Sequence, residues 1–195
     1  SGQISQGDEA GRSFLRDPNM QSYAEALELF HDWTQSDSLR RHAYAVEAAM
    51  AFYAEKHDAD MLKWRVTGLL HDMDYEKHQT MDEHPYVGVA VLRELGYPED
   101  VCEAILGHGN HTGVERTSLM AKTLFAVDEL AGFITAVGYV RPTGLKGMTP
   151  KSVTKKLKDK AFAAAVSRDD IRNGAEALGI ELPQHIANVI AGMQA

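Results

Sequence analysis

The sequence predicts an all-α domain of seven to nine helices, on three observations. Apolar residues recur at helical spacing through most of the chain after residue 20. No segment sustains the period-two alternation of a half-buried strand bounded by hairpin turns. Gly, Pro, Ser and Asp punctuate the pattern at intervals suited to helix ends. The 195 residues suit one domain, with residues 1–20 as a flexible polar tail and 21–195 as the folded body.

The elements follow in order. Ser22 and Glu25 have capping-box spacing, and Ala26, Leu29, Phe30 and Trp33 supply the first apolar stripe. A second helix is expected over 38–57, with Leu39, Ala43, Val46, Met50 and Tyr53 on one face. A third starts near Asp60 and carries Trp64, Leu69 and Leu70 into His71. Pro85 suits a first helical position, with Gly96 as the stop. Pro98 opens the next helix, which Gly107, Gly109 and Gly113 break. A helix over 118–135 precedes a surface loop over 138–150 and a lysine-rich helix from about Lys151. Ser167 and Asp170 cap a helix ending at Gly179, and Pro183 begins a short last one.

Composition excludes several classes. Lys and Arg total 20 against 28 for Asp and Glu, a net charge of −8, which argues against nucleic-acid polymers and anionic membranes as partners. The longest uncharged apolar stretch, 130–140, is well short of the roughly 20 residues of a spanning helix. The first residues lack the basic-then-apolar pattern of a secretory leader. Cys102 is the single cysteine, so no internal disulfide forms, and a cytoplasmic location is expected.

Nine histidines are the unusual feature. An apolar helix end delivers His71 and Asp72 side by side. His42 lies between Leu39 and Val46 on an apolar face, His84 sits at a helix start, and His108 ends an apolar face one turn after Ala104. Asp128 follows Leu124 by one turn along another apolar stripe, where an unpaired carboxylate would be costly. A divalent metal site explains all six together, since imidazole and carboxylate suit Mn, Fe, Co, Ni or Zn. His31, His57, His78 and His185 match no such position and read as surface residues.

The order His42, His71-Asp72, Asp128 on helices resembles the HD-domain superfamily of metal-dependent phosphohydrolases. His84 and His108, between the doublet and the last aspartate, resemble the extra ligands of its dinuclear members. The segments Leu69-Leu70-His71-Asp72-Met73-Asp74-Tyr75-Glu76-Lys77 and Ala126-Val127-Asp128-Glu129-Leu130 are most similar to a subgroup of small bacterial HD hydrolases. The resemblance runs over 22–136, and the lysine-rich stretch extends it to about Gly179. It implies that His42, His71 and Asp128 hold one metal, that His84 and His108 hold the other, and that Asp72 bridges them. The implied cofactors are one or two divalent ions among Fe, Mn, Co, Ni, Zn and Mg. The implied reaction is attack of a metal-activated hydroxide on a small phosphate ester, a nucleotide or related metabolite.

Around this core the readings stay open. His111 is read as a replacement for His108, as a proton donor to a leaving oxygen, or as a solvent-facing residue. Asp74 is read as a proton acceptor for water or a ligand histidine, or as part of a charged loop. Arg141, Lys151 and Lys155, with Lys122, are candidates for a phosphate-binding wall; the bland alternative is a solvated helix face. Two rival functions remain. Some HD-fold oxygenases, resembling inositol oxygenase and phosphonate-cleaving enzymes, use the same six ligands for two irons. A non-catalytic metabolite-binding module would be expected to have lost a ligand, and none is missing. Oligomeric state is not legible.

Overall fold

Side-chain oxygens set most of the helix starts, as the sequence spacing implies. The computed structural model describes residues 16–195, and nine α-helices lie among them. Ser22 caps α1 (Tyr23–Trp33), Ser36 caps α2 (Asp37–Lys56) and Asp60 caps α3 (Met61–Leu70). Two helices start at prolines without a side-chain cap: α4 (Tyr86–Glu94), after a cis His84–Pro85 peptide, and α5 (Glu99–Gly107). A 3-10 turn, Asn110–Thr112, leads to α6 (Leu119–Tyr139), capped by Ser118. Thr149 caps α7 (Pro150–Leu157), Ser167 caps α8 (Arg168–Ala177), and α9 (Leu182–Gln194) ends the chain. No strand occurs among the described residues.

Helix α6 is the axis of the bundle. It is buried on nearly every side, from Met120 and Leu124 to Phe133, Ile134 and Val137, because α2, α5, α8 and α9 all pack on it. Close approach depends on two glycines. A Cβ on Gly174 of α8 would lie 2.6 Å from Ala126 Cα of α6. A Cβ on Gly68 of α3 would lie 3.0 Å from Glu47 Cα of α2. These two contacts hold the segments carrying Asp128 and His71 at short range.

Four details differ from the sequence reading. α6 continues through Gly138 to Tyr139, since packing against α2 outweighs one glycine's low helix propensity, so the following loop is shorter than expected. The last helix is long, not short, because it lies across α2 and α7 and buries Ile186, Val189 and Ile190. Most of the expected flexible stretch, 1–15, lies outside the described residues. At its end, Asp17 accepts from Lys63 Nζ at 2.7 Å and Met20 is buried.

His185 is the fourth difference: it is fully buried. Its Nε2 donates to the Ala126 carbonyl at 2.8 Å, which leaves Nδ1 to accept from Tyr53 Oη at 2.5 Å. Asn188 Nδ2 donates to the same hydroxyl at 3.2 Å. The three residues form a closed polar network joining α2, α6 and α9, and burial pulls the His185 pKa down. Tyr53→Phe removes the shared hydroxyl and orphans a buried acceptor and a buried donor. It should lower unfolding stability by about 1–3 kcal/mol, read as a shift in the urea midpoint at constant slope.

Candidate metal centre

Six side chains from five parts of the chain converge at one end of the α2, α3 and α6 core. His42 comes from the second turn of α2 and Asp128 from the middle of α6. His71 and Asp72 follow the last turn of α3, His84 precedes α4, and His108 closes α5. The two oxygens of Asp72 face different partners. Oδ2 lies 3.6 Å from His42 Nε2 and 3.3 Å from His71 Nε2. Oδ1 lies 3.3 Å from His84 Nε2 and 3.1 Å from His108 Nε2. Asp128 Oδ1 completes the first group, 2.9 Å from His42 Nε2 and 3.2 Å from His71 Nε2. His42, His71, Asp72 and Asp128 thus form one set able to hold a cation, and Asp72, His84 and His108 form a second.

The hydrogen bonds behind the rings suit metal ligation. His71 Nδ1 donates to the Gly68 carbonyl, and His108 Nδ1 donates to the Ile105 carbonyl. His84 Nδ1 faces Asp74 Oδ1 at 2.6 Å. Each contact places the proton on Nδ1 and turns the Nε2 lone pair toward the cluster, as metal-bound imidazoles require. Asp74 is itself buried, and its Oδ2 accepts from the Gly88 N–H at 2.8 Å. It is therefore neither an open charged loop residue nor a group in the cleft; it positions His84.

Without a cation, the two carboxylates and three of the imidazoles, His42, His71 and His84, favour one another's charged forms. Burial opposes charge on His71, but the Asp72 and Asp128 carboxylates outweigh it and hold the pKa well above the usual imidazole range. Burial is likewise outweighed at His42, by the bond to Asp128. At His84 the carboxylates of Asp72 and Asp74 overcome burial and carry the pKa up to about 9. Burial would raise both carboxyls, yet the His71 charge and the imidazole bonds hold Asp72 and Asp128 well below the ordinary carboxylate range.

The cluster opens into a cleft of about 490 Å³. Its rim includes Tyr75, Asn110, His111, Glu129, Val166 and Asp170. His111 is exposed at the mouth, and its Nε2 donates to the His84 carbonyl at 2.7 Å, so it does not take the place of His108. The phosphate-binding wall is not in this cleft. Lys122, Arg141, Lys151 and Lys155 are absent from its lining, and so is every other Lys and Arg among the described residues. Arg141 turns back to the Gly144 carbonyl, while α7 packs against α9 and leaves Lys151 and Lys155 exposed.

The segment after α7 reaches the rim instead. Glu129 Oε2 accepts from the Ser167 N–H at 3.1 Å, and Arg168 donates to the carbonyls of Asp159, Phe162, Ala163 and Val166. Arg116 holds the opposite wall through the Gly107 carbonyl and Asn110 Oδ1. None of these positioning residues carried a sequence signal: Glu129 meets backbone 38 residues away, and Arg168 and Arg116 hold segments outside any regular spacing rule. Gly132 had one: it is a turn after Asp128, and a Cβ there would lie 3.9 Å from the His42 ring.

Residues 39–132 match the family model of the HD domain. No curated protein and no solved structure shows significant similarity to the chain.

The charge balance of the cluster makes stability depend on pH. A histidine whose folded pKa is raised stabilises fully below its unfolded value, about 6.5, and loses that contribution as pH rises through the folded value. For His84 that value is about 9, so chelator-treated protein should melt at lower temperature at pH 9 than at pH 6.5. A cation must displace these protons, so loading at pH 7 should acidify a weakly buffered solution and flatten the melting profile. Loading without proton release would mean that the imidazoles are already neutral at pH 7. The support behind His84 is tested by Asp74→Asn, which leaves one oxygen for two donors, the His84 Nδ1–H and the Gly88 N–H. Affinity of the His84–His108 set should fall by about 10–100-fold, seen as metal content dropping toward one ion per chain in a metal buffer.

Proposed function

We propose, from the membership of residues 39–132 in the HD-domain family, that this protein hydrolyses a small phosphate ester at a dinuclear centre. His42, His71 and Asp128 would hold one ion, His84 and His108 the other, and Asp72 both. The observation carrying this reading is the division of the Asp72 oxygens between two imidazole pairs. Bound divalent ions would polarise a phosphoryl oxygen and supply a nucleophile from water near neutral pH.

The chain's own groups do the rest. His111 has committed Nε2–H to the His84 carbonyl, which leaves Nδ1 to hold a proton for a departing oxygen. Tyr75 and Asn110 offer polar atoms at the mouth for orienting the ester. Glu129 and Asp170 make the rim acidic, which disfavours substrates carrying charge beyond the phosphoryl group that the ions neutralise. The volume and the lack of a cationic wall therefore favour a small ester of low charge over a polyphosphate. The lone, buried Cys102 suits a reducing, cytoplasmic setting.

A second reading draws on the same lack of lysine and arginine. A di-iron HD-fold oxygenase needs the six ligands but no wall for a free phosphate, so the cleft also suits that chemistry. Phosphate release and oxygen uptake separate the two. Protein loaded with Mn, Co, Ni, Zn or Fe should release phosphate from phosphomonoesters in a metal-dependent way. Oxygen consumption by the iron form with no phosphate release under any metal would decide for the oxygenase. In the hydrolase, Asp72→Asn should abolish turnover together with most metal binding, while His111→Ala should lower kcat by about a hundredfold with metal content unchanged.

A further inference from the structure

The lysine-rich segment, left over by the metal centre, borders a larger cavity of its own. We propose that this cavity, about 720 Å³ between α7, residues 158–167, α8 and the start of α9, binds a phosphorylated organic molecule of nucleotide size. None of its lining residues lines the metal cleft.

Charge is the first argument. In a chain of net charge −8, the lining holds Lys158, Lys160, Arg168 and Arg172 and, among the described residues, no carboxylate. The ion pairs of lysine and arginine among the described residues involve Lys63, Arg65, Arg93 and Arg172, so Lys158 and Lys160 have none. Arg172 is paired at 3.1 Å, but with Asp169, whose side chain is 87% exposed and outside the cavity.

Arg168 is the second argument. Its terminal nitrogens are spent on four backbone carbonyls, and its guanidinium stands over the Phe133 ring at 4.8 Å. No carboxylate pairs with it, and its Nε is buried with no hydrogen-bond partner among the described residues. The wall thus contains a fixed, part-buried cation that no described carboxylate neutralises. An anion in the cavity would neutralise it, and flanking lysines bind phosphate as point charges. Leu157 and Ile171 line the same space, which gives an organic group an apolar surface beside the cations. The volume lies in the range of ligand sites, about 300–1,000 Å³.

The site does not depend on metal chemistry, and calorimetry can separate it from the metal centre. The probes are ADP, inorganic pyrophosphate and adenosine, titrated into metal-loaded protein, Asp72→Asn and the double variant Lys158→Gln/Lys160→Gln. ADP should bind wild type and Asp72→Asn alike, at least about tenfold tighter than adenosine. The double variant should lose about tenfold or more in ADP affinity while keeping wild-type metal content and melting temperature. Pyrophosphate should compete with ADP but bind more weakly, since it lacks the apolar part. Unchanged ADP affinity in the double variant overturns the proposal. Loss of ADP binding in Asp72→Asn overturns it too, by assigning the ligand to the metal centre. So does the absence of saturable binding by both ADP and pyrophosphate.

Discussion

The arrangement of the site depends on one carboxylate. Asp72 presents Oδ2 to His42 and His71 and Oδ1 to His84 and His108. That is possible only if four imidazoles arrive from four chain segments with their Nε2 atoms turned inward. For three of the four, the fold provides this by fastening the other ring nitrogen. His71 and His108 are each held by the carbonyl three residues back in their own helix end, a local device. His84, which lies outside regular helix, needs a tertiary one, the buried Asp74. The costs of burying two carboxylates and several imidazoles offset one another within the cluster.

The same logic explains the glycines and the central helix. Asp128 sits on a helix buried nearly all round, and α6 reaches the cluster because Gly174 lets α8 pack directly on its backbone at Ala126. Gly68 does the same for α3 on α2, and its carbonyl also holds His71. Backbone contact and ligand orientation are therefore coupled at one position. The Tyr53, His185 and Asn188 network shows the same economy on the far side of α6: a buried imidazole is accepted because both its nitrogens are used.

The segment between α7 and α8 stands between the two cavities. Its Val166 side borders the metal cleft, and its Lys158 and Lys160 side borders the cationic one. Arg168 holds the segment by its carbonyls and Glu129 by the Ser167 N–H. The positive charge visible in the sequence is thus a real feature of this region, but it faces away from the metals.

Local signals in the sequence determined much of this protein. Helical spacing and capping residues such as Ser22 and Ser167 located the helices, because these depend on neighbours three or four residues away. The six histidines and aspartates were legible for a related reason: a polar group repeated on apolar faces needs a common partner. Tertiary structure alone decided which way the lysines face, that His185 is buried, and that Asp74 serves His84. Those outcomes depend on which distant backbone or side chain each residue meets, such as the Ala126 carbonyl or the Gly88 N–H, and no spacing along the chain encodes that meeting.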